Sequence, residues 1–334
     1  MISLSIHDAP VDRSSHKTHT PTAGGVGFII SFILFALTAY LMGHVPPTAE
    51  SDIYFCFLVG IMILGIVGFL DDRKSLSYKT RLLFQILCSG MLISSGLYIK
   101  FPLMGPEPVL WQKIITLLAF LGLINGANFI DGLNGLLSGC FLIASGFMAL
   151  IIPETYTFIH ILYAILFGSI LGFYVFNFPR ASIFMGDVGS TFIGFSLAFL
   201  ALLSQNYFEG DTHTALVHKG FVYTLSPLMF LWFDVGSTLL RRIYKKAKLT
   251  EAHRDHMIHI LNDQGYSHTQ VSLIYYSLTL FMCLITWLCY SGFLTFIQGL
   301  VIYLTTQALF CFWVFAPSYQ IYEVELRRYC CLPP

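Results

Sequence analysis

Charge is what this sequence has least of. Only 11% of its 334 residues are charged, while 56% are apolar and 31 are Phe. A soluble protein carries about 25% charged residues, so an ordinary soluble domain is excluded. Neither sign prevails: 18 Lys and Arg stand against 18 Asp and Glu, which leaves no basic signature for nucleic acid. The eight Cys form no Cys-x-x-Cys pair. Most lie in apolar runs, where a reduced, packed thiol is the default. Cys331-Leu332-Pro333-Pro334 has the Cys of a prenylation box, but its two prolines argue against that use. The first 23 residues are polar and lack an apolar core, so no cleavable signal peptide is read there. Internal repeats and low-complexity tracts are also missing.

What the sequence does have is apolar runs of about 20 residues, the length that crosses a bilayer as a helix. They predict an all-α polytopic membrane protein of about ten spans, forming a single domain over 1–334. The spans fall near 24–44, 53–70, 81–99, 113–129, 133–152, 158–177, 187–204, 220–240, 271–290 and 293–316. Polar stretches remain at 1–23, 241–270 and 317–334. Gly pairs four apart, Gly122/Gly126, Gly135/Gly139 and Gly168/Gly172, suggest close helix approach. With ten spans, 15 of the 18 Lys and Arg fall on the side of the N-terminus and 3 on the other. That asymmetry makes the first side cytoplasmic, with both termini there.

The polar chemistry obeys the same division. The second span ends in Asp71-Asp72-Arg73-Lys74. A charge at bilayer depth costs roughly 2.5–3.5 kcal/mol, so two acids at the rim need solvent, a cation or a task. The fourth link carries Asn125, Asn128 and Asp131 three apart on one helical face, then Gly132 and Gly135. The sixth link carries Asp187, which either caps the following helix or joins the other carboxylates. Carboxylates of this kind suit Mg2+ or Mn2+ rather than zinc. The eighth link opens with Arg241-Arg242-Ile243-Tyr244-Lys245-Lys246, a pattern that anchors to anionic lipid. His253-Arg254-Asp255-His256 follows, better suited to phosphate than to zinc. Asp234 is expected to pair with Arg241 or Arg242. At the N-terminus Lys17 is a natural phosphate partner.

Taken together, these segments resemble the polyprenyl-phosphate N-acetylhexosamine-1-phosphate transferases (glycosyltransferase family 4). The resemblance rests on His16-Lys17-Thr18-His19-Thr20-Pro21 with Gly24-Gly25, Gly68-Phe69-Leu70-Asp71-Asp72, Asn125 to Gly135, Phe184 to Ser190, and His253 to His256. It covers nearly the whole chain. It implies a multi-pass enzyme of the bacterial inner membrane with a cytoplasmic Mg2+ site, Mn2+ being the alternative. The donor would be a UDP-N-acetylhexosamine, most often GlcNAc, and the acceptor undecaprenyl phosphate. The product would start a cell-surface polysaccharide of the O-antigen type, and a homodimer is left open. By position, Asp187 and Asp72 would hold the metal, and Asp71, Asp72 and Asp131 would be catalytic. Lys17, Thr22, Asn125, Asn128, His253, Arg254 and His256 would bind substrate. Three departures stand out. Asn134 replaces an acid of many bacterial members, and the sequence shows no helix before the Lys17 motif, so either that helix is dispensable or the sequence starts too late to include it. The triple-His run of the peptidoglycan translocase is also absent, which argues against a MurNAc-pentapeptide donor. A transporter and a non-catalytic membrane partner are the rival readings.

Overall fold

The computed structural model describes residues 7–8, 20–22, 24–45, 49–101, 109–208, 218–248 and 254–330. Helices dominate: α1 (Gly24–Leu41), α2 (Ala49–Lys74), α3 (Tyr78–Ser94), α4 (Leu110–Ile130), α5 (Leu136–Ile151) and α6 (Thr157–Asn177). They continue with α7 (Gly186–Leu203), α8 (Lys219–Leu225), α9 (Met229–Tyr244), α10 (Met257–Asp263), α11 (His268–Tyr290) and α12 (Phe296–Cys330). One two-residue strand pair, His7–Asp8 with Thr20–Pro21, is antiparallel. Each of the ten expected spans coincides with helix. Seven helices among the described residues are long and apolar enough to cross a membrane. The others fall short for visible reasons. α3 and α5 have 17 and 16 residues. The eighth span breaks at the 3-10 turn Ser226–Leu228, where Pro227 has no N–H to continue the α8 ladder.

α7 is the hub. All its residues from Val188 to Leu203 are buried, and α1, α2, α4 and α8 pack around it. Small residues permit this. A Cβ on Gly68 of α2 would stand 2.7 Å from the Val188 backbone, and one on Gly194 would stand 2.5 Å from the Leu123 carbonyl of α4. Where backbones meet so closely only hydrogen fits. Phe28 and Phe32 of α1 close against Phe192, and Phe57 of α2 stacks on Phe199. Of the Gly pairs read from spacing, Gly122, Gly168 and Gly172 face open space, whereas Gly126 abuts Trp232, Gly135 abuts Phe178 and Gly139 abuts Tyr276. Spacing shows which glycines share a face, but not whether a helix covers that face.

Candidate active site

α7 starts at Gly186, whose φ is +69° and whose missing Cβ leaves room for the Asp72 carboxylate. A side chain there would strike Asp72, so glycine is required twice over. The Asp187 N–H donates to Asp72 Oδ1 at 2.9 Å. Asp72 thus caps α7 from the end of α2, placing a negative charge at the positive pole of the helix. Its other oxygen, Oδ2, is buried and has no hydrogen-bond partner among the described residues.

Asp71, one residue earlier, points elsewhere. It accepts the Leu76 N–H in the turn after α2. Arg81 of α3 donates from a single nitrogen, Nη1, to Asp71 Oδ2 and Asp187 Oδ2, each at 2.8 Å. Ser77 caps α3 by accepting the Thr80 N–H, which sets the register that aims Arg81 inward. Asn128 Nδ2 donates to Asp187 Oδ1 at 2.6 Å and to Ser190 Oγ at 3.2 Å. Asp131 closes the α4 helix, its N–H returning to Ala127. Burial, then the charges of Asp187 and Asp72, push its carboxyl up to about 8. Four aspartates from three elements therefore converge, with one guanidinium among them. The cavity beside Asp187 is lined by Arg81, Gln85, Asn125, Asn128 and Thr191, and its volume of about 20 Å3 is room for a single water.

The other expected residues are placed as follows. Asn125 binds Gln85 (Nδ2 to Oε1, 2.8 Å), locking α4 to α3 at the edge of that cavity. Thr22 is half-buried in the extended segment that enters α1. That segment is tied to the loop before Asp187: Phe184 N–H donates to the Pro21 carbonyl, and Gly24 N–H to the Phe184 carbonyl. Lys17 and His253 lie outside the described residues. His256 is buried with its ring 6.0 Å from that of Phe129, so the eighth link does reach the α4 loop. His259 joins it, its ring against Gly132. Burial and the nearby Arg254 and His256 push His259 down to about 4, keeping it neutral. Arg254 binds Asp263 at 2.8 Å and lines a separate cleft.

Two groups escaped the reading by spacing. Arg81 and Gln85 sit four apart on one face of α3, the available signal, but Arg81 served there only as a topology marker. Asp234 is fully buried and pairs with neither arginine. It accepts the N–H groups of Met257 and Ile258 at 2.8 and 3.3 Å and the Tyr275 hydroxyl at 3.2 Å, with His256 Nδ1 3.4 Å away. It anchors α10 from α9.

No three His, Cys, Asp or Glu among the described residues gather as a ready-made cage. Two carboxylates do suit a hard cation: the orphaned Asp72 Oδ2 and Asp187. Mg2+ commonly takes one or two carboxylates and leaves its other positions to water and phosphate. The residues fit that group.

The glycosyl transferase family 4 profile matches residues 54–205, which contain Asp71, Asp72, Arg81, Asn128, Asp131 and Asp187. A probable undecaprenyl-phosphate N-acetylglucosaminyl 1-phosphate transferase of Bacillus subtilis is 30% identical over 284 residues, spanning 82% of this chain and 75% of the relative. The chain belongs to this family. A phospho-N-acetylmuramoyl-pentapeptide-transferase of Symbiobacterium thermophilum is 33% identical, spanning 84% of this chain and 85% of the relative. The undecaprenyl-phosphate alpha-N-acetylglucosaminyl 1-phosphate transferase of Thermotoga maritima is 28% identical over 81% and 78%.

Proposed function

We propose that this chain transfers N-acetylhexosamine-1-phosphate, with GlcNAc as the sugar, from a UDP-linked donor to undecaprenyl phosphate. The single observation that supports this most is the convergence of Asp72, Asp131, Asn128 and Asp187 at the polar end of a membrane bundle in a member of this family. The Bacillus and Thermotoga relatives carry that acceptor and that sugar in their names. The lysine and arginine asymmetry puts this end in the cytoplasm, where a nucleotide-linked sugar is available to an inner-membrane enzyme. The lipid product would open a surface polysaccharide of the O-antigen type.

Both reactants are anions. Unit charges about 4 Å apart repel by roughly 4 kcal/mol at an effective dielectric of 20. Mg2+ held by Asp72 and Asp187 would supply Lewis-acid neutralisation of that repulsion. The chain's own residues do the rest. Arg81 already spans Asp71 and Asp187 and is the cation at hand for a phosphate drawn into the site. Asn128 holds the Asp187 carboxylate in one orientation. The lipid phosphate is largely deprotonated near neutral pH, its second pKa being about 6, so it needs no strong base. Its oxygen attacks the sugar-side phosphorus, a new P–O bond forms, and the bond to the bridging oxygen breaks. UMP leaves with that oxygen. Asp71 and Asp72 organise the acceptor.

Purified protein incubated with labelled UDP-GlcNAc, Mg2+ and undecaprenyl phosphate should move label to the organic phase and release UMP. Label on the protein without acceptor would point instead to an aspartyl intermediate. The Symbiobacterium relative motivates a second donor arm with UDP-MurNAc-pentapeptide. Turnover confined to that arm would overturn the GlcNAc assignment, as would failure in both arms for the reaction class.

A further inference from the structure

The Arg241 to Lys246 run takes no part in the site at Asp187. Its residues instead build a cleft of about 270 Å3 between α9, the segment leading into α10, and α12. Arg241, Arg242, Lys245 and Arg254 line it, with Asp255, Ile260 and Phe315. None of these lines the cavity beside Asp187. Arg242 pairs with Asp255 and Arg254 with Asp263, while Arg241 and Lys245 have no carboxylate partner among the described residues, so the cleft keeps a positive excess.

The cleft is built rather than incidental. Arg242 is 9% exposed, held by Asp255 Oδ2 at 2.6 Å and by the Lys248 carbonyl at 2.6 Å. Arg241 lies over the Phe315 ring, 4.8 Å from its centroid, and donates to the Asp255 carbonyl at 2.8 Å. After these contacts the Nε–H of both arginines remains buried with no acceptor among the described residues. A buried, unsatisfied donor on a charged group costs about 1–3 kcal/mol or more, and two in one cleft call for an anion. Lys245 is exposed at its edge, with no side-chain partner among the described residues.

The surroundings say which anion. Leu240, Ile243 and Tyr244, on the same turns of α9, are 68%, 56% and 90% exposed, and Phe312 and Trp313 of α12 are exposed as well. Apolar and aromatic side chains left uncovered at the end of membrane helices face lipid, with cations at headgroup height beside them. A soluble phosphate would gain nothing from that apolar border, whereas acyl chains would. We propose that this cleft binds the phosphate of an anionic phospholipid headgroup, with Arg241, Arg242 and Lys245 on the phosphate and the acyl chains along Leu240, Ile243 and the α12 aromatics. This does not depend on the reaction proposed above.

The full chain in detergent, titrated with phosphatidylglycerol or phosphatidylcholine, tests it by native mass spectrometry. One phosphatidylglycerol should be retained at least about tenfold more tightly than phosphatidylcholine, and it should raise Tm. Arg241→Gln with Lys245→Gln should abolish both the preference and the Tm rise. A third arm adds inorganic phosphate, which should not displace the lipid at millimolar concentration. Equal retention of the two lipids by the wild-type chain overturns the proposal even if the double variant fails to fold. Unchanged preference in a folded double variant overturns it too. Displacement of the lipid by free phosphate would make the cleft a soluble-anion site and overturn the lipid assignment.

Discussion

At the scale of single residues, neighbouring side chains divide the work by where their oxygens point. Asp71 and Asp72 are adjacent, yet one holds Arg81 and the other caps α7. Asp187 accepts from Arg81 and Asn128 and, through its own N–H, donates to Asp72. Asp187→Asn removes charge from the centre of this set. It should lower transfer by at least about 10²–10³-fold, the loss typical of removing one preorganised electrostatic group, and the labelled-donor assay reads it. Wild-type turnover in that variant would refute the assignment. Asp131 offers a pH signature. Its carboxyl holds a proton up to about pH 8 in the folded chain but only to about 3.9 unfolded. The folded state binds the extra proton between these values, so this contribution to stability is full in acid and is lost as pH rises through about 8. Because that loss accumulates from about pH 3.9 upward, Asp131→Asn should match wild type in Tm only near pH 4 and exceed it by a margin that grows toward pH 8, without metal. His259 is pushed down to about 4 in the folded chain and takes up its proton on unfolding below about pH 6.5, but it does so in both proteins and cancels from the comparison.

At the scale of elements, two contacts position the site. α7 meets α4 at Gly194, where a Cβ would stand 2.5 Å from the Leu123 carbonyl and 2.6 Å from the Ile124 Cα. Gly194→Val should destabilise by about 1–3 kcal/mol, the usual cost of overpacking, and spread Asp187 from Asn128. A lower Tm together with lost transfer is the expected reading. α10 hangs on Asp234 through two backbone N–H groups. Asp234→Ala leaves both buried and unpaired, at about 1–3 kcal/mol each. Hydrogen exchange at 256–262 should then rise well before α9 itself loosens, carrying His256 and His259 off the α4 loop.

At the scale of the whole molecule, the bundle brings Asp71, Asp72 and Asp187 together at one end. The Asp187 cavity and the basic cleft both open at this end and share no residue. If that end is cytoplasmic, a phosphatase fused after Lys100 is exported and active. The same reporter fused after Lys74 stays inactive. The reverse pattern would place the aspartates outside, away from any nucleotide-linked sugar.

Much of this was legible in the sequence, because membrane burial writes itself as long apolar runs and because acids at a membrane rim are costly enough to be conspicuous. The helices, the polar end and the group Asp71, Asp72, Asn128, Asp131 and Asp187 follow from that physics. Partner choice does not. Asp234 lies eight residues from Arg242 along α9, yet it turns to α10. Arg81 looked like one more positive charge, yet it bridges two aspartates, one of them 106 residues away in the chain. The glycines that matter for packing are those a neighbouring backbone reaches. Spacing along one helix determines which side chains share a face. Only the packed bundle decides what meets that face, since the meeting depends on helices far apart in sequence.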